Sequence, residues 1–598
     1  MRSTATVVAT LLTIAAASSV ALAIDGDTLA LRSSGTDTGT SWTLDRDGYV
    51  GTYITLTSPG TVSFWIGAAG QSAGGIAPRM NLAVDDTKTG WDVAAVGNTY
   101  TANVALPAGT HFVRTEFANG AVGSGRTLTV QNFSVTGATL SNTSTNTNAL
   151  AAANTYIENF RKGPANVALS GVAPGTLVHV QLARHAFNFG TAIPGNSAPN
   201  VNTYLAASPT PGGTAANFQQ RLNQNFNMVV PENAGKWANN ESSPGSVAMA
   251  GVDQILNYAQ SHNMRARMHN VIWGSQQPTW VNNLLTSAEA GNNADKTSLR
   301  NAVSDRIGYY VGDRAGKFVE LDVYNESVHT PQYWNVYGAS GVAGIYNEAA
   351  SAVSGAGAST RLFTNEYNVL QDSTDIYADW YRQHVQDIKA AGGAVSGIGF
   401  QYYSANATGA GNSQHSPARM YAAMQNLAVE GLPMALTEFG VKTGGTGSTT
   451  TLQNRAATIL DESARLVFGM PGATGFTMWG FWGGAVWSGA PEGVLYNTDW
   501  SIRPAGTRRQ DLMSFDNDGV DDDWTTDLTL AVGADGTIDF TGFYGDYTLT
   551  IGGQTHDLSL LKGTTDYAIA VPEPSGVGLA ATFIALTLSR RCRRRCVG

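Results

Sequence analysis

Eight short apolar runs, at 187–193, 226–230, 265–273, 318–324, 362–365, 397–401, 434–437 and 475–479, constrain this chain more than any other feature. They fall between residues 154 and 510, and stretches with helical spacing separate most of them. A strand that is apolar at nearly every position must be covered on both faces, which is the situation of parallel strands flanked by helices. Eight such units in series predict an α/β fold of the (β/α)8 type, in which chemistry belongs where the strands end.

The chain has 598 residues, more than one barrel needs. The region 24–140 alternates as short strands, for example Thr61-Val62-Ser63-Phe64-Trp65-Ile66, broken by turn signals such as Ser58-Pro59-Gly60. This predicts an N-terminal β-sandwich module. A β-sandwich joined to a larger domain in this way resembles a carbohydrate-binding module. Trp42, Trp65, Trp91 and Tyr100 are its candidates for stacking on sugar rings, although core packing is the commoner fate of such residues. Residues 141–153 begin with a Ser/Thr/Asn-rich stretch and are expected to be a linker. A small β-module is expected over 511–570. Its Asp/Asn-rich start (516–523) lacks full EF-hand spacing and reads as a polar turn.

The two ends read as addresses. Residues 1–23 carry Arg2, a short apolar stretch and the small-x-small site Ala21-Leu22-Ala23, the pattern of a secretory signal peptide. The segment 571–598 holds Val571-Pro572-Glu573-Pro574, an apolar run and a cluster of arginines from Arg590 to Arg595. It resembles the PEP-CTERM sorting tag, which implies export and retention at the cell surface. Membrane contact is expected only through these terminal segments. Both cysteines, Cys592 and Cys596, lie in the tail, so no disulfide or thiolate metal site is expected in the body. Nine histidines show no ligand-like spacing, and no metal or other cofactor is expected. A net charge of −10 with no basic stripe argues against nucleic acid as a partner.

The strand ends carry one kind of chemistry. After the second comes Glu232-Asn233-Ala234-Gly235-Lys236-Trp237. The third carries His269 and Trp273 and leads into Gln276, Pro278 and Trp280. The fourth ends in Asn325-Glu326, the fifth in Asn365-Glu366-Tyr367-Asn368, the sixth in Gln401-Tyr402-Tyr403 and the seventh in Thr437-Glu438. The eighth leads into Trp479-Gly480, with Trp487 close behind. Asn, Gln, His, Glu and Lys suit sugar hydroxyls, and Trp covers the apolar face of a pyranose. Cleavage of a glycosidic bond needs two carboxyls flanking it, and Glu326 and Glu438 can face each other across the barrel mouth.

Taken together these motifs resemble glycoside hydrolase family 10, the retaining endo-β-1,4-xylanases, over roughly the middle of the chain. The resemblance implies that Glu326 is the general acid/base and Glu438 the nucleophile, with carboxyls about 5–5.5 Å apart. It also implies that Glu326 is held protonated while Glu438 stays ionised. Glu232, Asn233, Lys236, His269, Trp273 and Gln276 would hold the glycone, with Asn325 on the sugar 2-hydroxyl. Gln401, Tyr403, Trp479 and Trp487 would complete the cleft, and a monomer acting on xylan is implied. Four positions depart from the family pattern: Leu321, Gly274, Tyr403 and Gly440. Tyr403 stands where the family has a histidine beside the nucleophile. Two alternatives are a surface-displayed glycan-binding protein with an impaired barrel and a hydrolase of another β-glycan.

Overall fold

The computed structural model describes residues 23–121, 123–371, 376–405, 415–442, 449–513 and 523–571. The signal-like start, the PEP-CTERM-like end and most of the Asp-rich stretch at 516–523 lie outside the described residues.

Eight parallel strands close into a barrel. They are β1 (Asn188–Ile193), β2 (Met228–Pro231), β3 (Arg265–Trp273), β4 (Glu320–Asn325), β5 (Arg361–Glu366), β6 (Gly397–Ala405), β7 (Met434–Lys442) and β8 (Ala473–Met478). Each predicted run falls on one of them. β8 pairs with β1 to complete the ring. Every residue of β1, β2 and β4 is buried, which explains why these strands read as continuous apolar runs rather than alternating ones. The covering helices bury one stripe each. In Thr449–Phe468 that stripe includes Ala456, Ile459, Leu460, Ser463 and Val467. The Asn293–Arg306 helix starts at Asn292, whose side chain accepts from the amides of Ala294 and Asp295, a cap contributing about 1 kcal/mol.

The barrel interior holds a line of charges. Arg267 on β3 bonds Glu320 on β4 at 2.6 Å and also pairs with Asp322. Asp322 in turn accepts from His269 at 3.0 Å. Parallel pairing sets this order, because Arg267 faces Glu320 and His269 faces Asp322 across β3 and β4. The line runs up the two strands toward the site.

The N-terminal β-sandwich is present as two six-stranded sheets. One contains Trp42–Leu44, Thr127–Thr136, Gly60–Gln71 and Asn98–Leu106. The other contains Gly48–Leu56, Gly109–Phe117, Arg79–Val84 and Thr87–Asp92. This second sheet docks on the barrel unit. Tyr53 stacks on Tyr421 with ring centroids 6.1 Å apart, Phe112 meets Tyr421 edge-on at 5.7 Å, and the Tyr49 hydroxyl donates to the Ala422 carbonyl.

Two boundaries differ from expectation. The linker placed at 141–153 is mostly the first turns of a helix, Asn146–Phe160, capped by Thr145. Its buried Ala149, Ala152, Ala153, Tyr156 and Ile157 make an apolar stripe that the polar residues before it obscure. The barrel does not start near 154 either. Strands Lys162–Ser170 and Leu177–His185 pair instead with strands that follow the barrel, so Arg184 and His185 belong to the C-terminal module. That module is a three-stranded and a four-stranded sheet around Val167, Leu169, Val178, Val180, Ile538, Phe540, Leu549 and Ile551. It is wider than 511–570, and the barrel is inserted within it.

Candidate active site

Glu326 follows the last residue of β4 and has a left-handed backbone, with φ of 56°. A non-glycine residue there costs about 1–2 kcal/mol. The conformation is held by the Glu326 amide donating to the Asn365 carbonyl at 2.6 Å and by the Thr330 amide donating to the Glu326 carbonyl at 2.7 Å. The side chain accepts from Trp273 Nε1 at 2.8 Å and from Gln401 Nε2 at 3.2 Å. Burial pushes its carboxyl up to about 7, against the pull of those two donors.

Glu438 sits inside β7, buried. It accepts from Tyr403 Oη at 2.6 Å and from Asn365 Nδ2 at 3.0 Å, and His269 Nδ1 lies 4.0 Å away. Burial pushes Glu438 up to about 8; the Tyr403 hydrogen bond and the Lys236 charge oppose the rise, and the Glu326 charge adds to it. Burial thus disfavours the charged form of both carboxyls, with Tyr403 and Lys236 acting to keep Glu438 ionised. Both carboxyls are desolvated, and a charge on Glu326 raises Glu438 further.

A chain of amides joins the two. Gln401 Nε2 reaches Glu326, and also Asn325 Oδ1 at 3.5 Å. Asn365 Nδ2 reaches both Asn325 Oδ1, at 2.8 Å, and Glu438. Asn325 Nδ2 is buried with no partner among the described residues, a donor with capacity for a ligand oxygen.

The remaining residues surround the pair. Lys236 is buried, bonds Asn233 Oδ1 at 3.0 Å and lies over the Trp273 ring at 5.6 Å. Burial lowers its pKa, while Glu438, Glu232 and Glu326 act to keep it charged. Burial raises Glu232, with Lys236 opposing. His269 is buried, and desolvation pulls its pKa below the usual value even with Asp322 on Nδ1. Trp479 meets the His269 ring edge-on at 5.3 Å and packs with Ala192, Val230 and Tyr403. Trp487 is 46% exposed and stands edge-on to Tyr403 at 4.8 Å, forming an accessible wall. Gln276 differs: it is exposed, with φ of 47°, while its neighbour Gln277 is buried and bonds the Tyr333 hydroxyl.

Sequence reasoning gave no role to Glu366 and His329. Glu366 is fully buried and accepts from the amides of Val328 and Tyr367 and from His329 Nδ1. It clamps the loop that carries Glu326. A carboxylate at the end of β5 gives no local sign of this, since Val328 and His329 come from the loop after β4.

The family model described as Glycosyl hydrolase family 10 matches residues 183–510, the barrel. The chain belongs to this family. Among curated proteins it is 28% identical over 398 residues to the anti-sigma-I factor RsgI6 of Acetivibrio thermocellus, covering 65% of this chain and 44% of that protein. It is 25% identical over 381 residues to endo-1,4-beta-xylanase 1 of Arabidopsis thaliana, covering 63% of this chain and 34% of that protein. The chain thus spans less than half the length of these two relatives. Among solved structures, xylanase 10B from Thermotoga petrophila, in complex with xylobiose, aligns with 55% of this chain and 93% of its own at 19% identity, with a TM-score of 0.45. Within the family 10 region, Glu326 directly follows β4 and Glu438 lies within β7.

Proposed function

We propose that this chain is an endo-β-1,4-xylanase that cleaves xylan with retention of configuration. The observation that carries the reading is the pair Glu326 and Glu438, both desolvated and linked through Gln401, Asn325 and Asn365. Glu438 attacks the anomeric carbon while Glu326 gives its proton to the leaving glycosidic oxygen, yielding a glycosyl-enzyme and a shortened chain. Glu326, now a carboxylate, takes a proton from water, which attacks the same carbon and frees Glu438. Tyr403, Asn365 and Lys236 favour the anionic form of Glu438 that the first step needs. The unmet Asn325 Nδ2 donates to a sugar hydroxyl beside the reacting carbon, and Glu232, Asn233, Lys236 and His269 hold the glycone. Trp479 and Trp487 wall the cleft.

Export to the cell exterior is part of this reading. Its support is the signal-like 1–23 and the PEP-CTERM-like 571–598.

The test is hydrolysis of xylan, mixed-linkage glucan and an aryl β-xylobioside by the native chain and Glu438→Ala. The native chain cleaves xylan and the xylobioside, releases the β-anomer first by NMR, and loses at least about 10⁴-fold in kcat on substitution. Turnover of mixed-linkage glucan alone reassigns the polymer. Polysaccharide binding with no turnover on any substrate makes the barrel a glycan-binding module.

A further inference from the structure

Of the four aromatic candidates in the N-terminal sandwich, three are engaged in packing. Tyr100 is buried, and Trp91 packs against it with ring centroids 5.9 Å apart. Trp42 packs on the sandwich core with the Arg32 guanidinium 4.8 Å over its ring. Trp65 belongs to no such cluster. On strand Gly60–Gln71 its neighbours Phe64 and Ile66 are buried inward, so the period-2 alternation turns Trp65 to the outer face.

Cross-strand register defines what surrounds it. Trp65 faces Ser134 on one side and Thr101 on the other. The rows before and after pair Ser63 with Thr136 and Asn103, and Gly67 with Asn132 and Thr99. Farther out, Thr129 bonds Thr43, hydroxyl to hydroxyl, at 2.8 Å. Gly67 has no Cβ, and one placed there would lie 2.7 Å from the Asn132 amide, so glycine lets that amide lie close to the sheet beside the indole. Thr99, Thr101, Asn103 and Asn132 are exposed. The opposite sheet is the one that docks on the barrel through Tyr49, Tyr53 and Phe112, so this face looks away from it.

We propose that this face, centred on Trp65, binds a neutral β-linked polysaccharide chain. The strip is one indole amid hydroxyls and amides, and its single charge, Asp25, sits at the margin beside Asn132. An indole covers the apolar face of a pyranose, and flanking Thr, Ser and Asn side chains exchange hydrogen bonds with its ring hydroxyls. A nucleic acid or an anionic membrane would require cations that the strip lacks. A protein partner would require a broader apolar centre than one half-buried ring. The proposal extends the reading of the chain as acting on a polysaccharide and places a second contact with the polymer outside the barrel.

The test uses the full chain with Glu438→Gln, which prevents digestion, sedimented with insoluble xylan and with microcrystalline cellulose. In that background Trp65→Ala weakens binding to whichever polymer is retained by at least about tenfold, while Trp65→Tyr keeps a ring and stays within about threefold. With Glu438 intact, Trp65→Ala turns over a soluble aryl β-xylobioside at the native rate and melts at the native temperature. Trp65→Ala binding as tightly as its parent, or a parent that sediments with neither polymer, overturns the proposal. A Trp65→Ala variant that converts a dimer to a monomer with sedimentation unchanged assigns the face to self-association and also overturns it. Xylobioside turnover is read separately, so failure of the face and failure of the hydrolase reading give different results.

Discussion

The Tyr403 hydroxyl donates a 2.6 Å hydrogen bond to the carboxylate of Glu438, and a donor to a carboxylate stabilises its charged form. Tyr403→Phe therefore raises the pKa of Glu438 and moves the acidic limb of kcat/KM to higher pH, with about tenfold lower activity below that limb. Tyr403→His, which restores a group able to carry charge, shifts the same limb in the opposite direction. A profile indifferent to both substitutions would show that Tyr403 does not govern the nucleophile. The native profile is a bell. At low pH both carboxyls are protonated and no nucleophile exists; at high pH both are ionised and no acid exists. Because burial raises both carboxyls, both limbs lie above the ordinary glutamate value of 4.5, and an acidic limb at or below that value would contradict the desolvation of the pair. At this scale the sequence was informative where chemistry is carried by residue type. Glu326, Glu438, Lys236 and Trp479 sit in the cleft because each follows or ends an apolar run, and His269 because it lies within one. It was uninformative about Gln276, where a left-handed backbone turns one glutamine out and the next one in. It was also uninformative about the charge state of Glu438, because desolvation depends on everything packed around the strand end.

On β3 and β4 the buried charges behave as a unit. Burial alone would raise Asp322, yet Arg267 and His269 overcome it and hold the carboxyl below the usual range. Its contribution to stability is therefore complete above the ordinary aspartate pKa and is lost as pH falls through the depressed value. Asp322→Asn leaves Arg267 with Glu320 as its one full ionic partner and releases the anchor on His269 Nδ1. Breaking a buried pair from one side costs about 3–5 kcal/mol, so the variant unfolds at markedly lower urea concentration at pH 7. The difference narrows as pH falls below the ordinary aspartate value, where the unfolded chain takes up the proton before native Asp322 does. A midpoint within error of the native one at pH 7 would mean that the line of charges is not a stabilising unit. The strands themselves were legible because two-sided burial writes a continuous apolar run. The charges within them were visible as letters, but only the register that sets Arg267 beside Glu320 and His269 beside Asp322 shows that they neutralise one another.

The whole molecule is a barrel held inside a second β-unit, with a first β-unit docked at its side. The insertion escaped sequence reading for a physical reason: Lys162–Ser170 and Leu177–His185 alternate like any half-buried strands, and nothing local states that their partners come after the barrel. The same arrangement makes the two ends of the body unequal. Ending the chain after Met513 removes every partner of those two strands. It exposes Val167, Leu169, Val178 and Val180 and leaves open sheet edges, a combination that favours aggregation. Starting the chain at Ser144 instead removes the N-terminal sandwich and uncovers the surface it docks on, including the part of the Asn146–Phe160 helix and Tyr421 that Tyr53 and Phe112 cover, and releases the Asp86–Lys562 ion pair. That face is the smaller loss, because both sheets of the second unit and the barrel keep their own cores. The shorter N-terminal variant is therefore expected to remain soluble and active on a soluble xylobioside with a lower melting temperature, while the variant ending at Met513 accumulates as insoluble protein. Soluble yield and thermal melting of the two, made side by side, decide it: a Met513-terminated chain that melts like the full one would mean that the inserted barrel folds without the unit that encloses it.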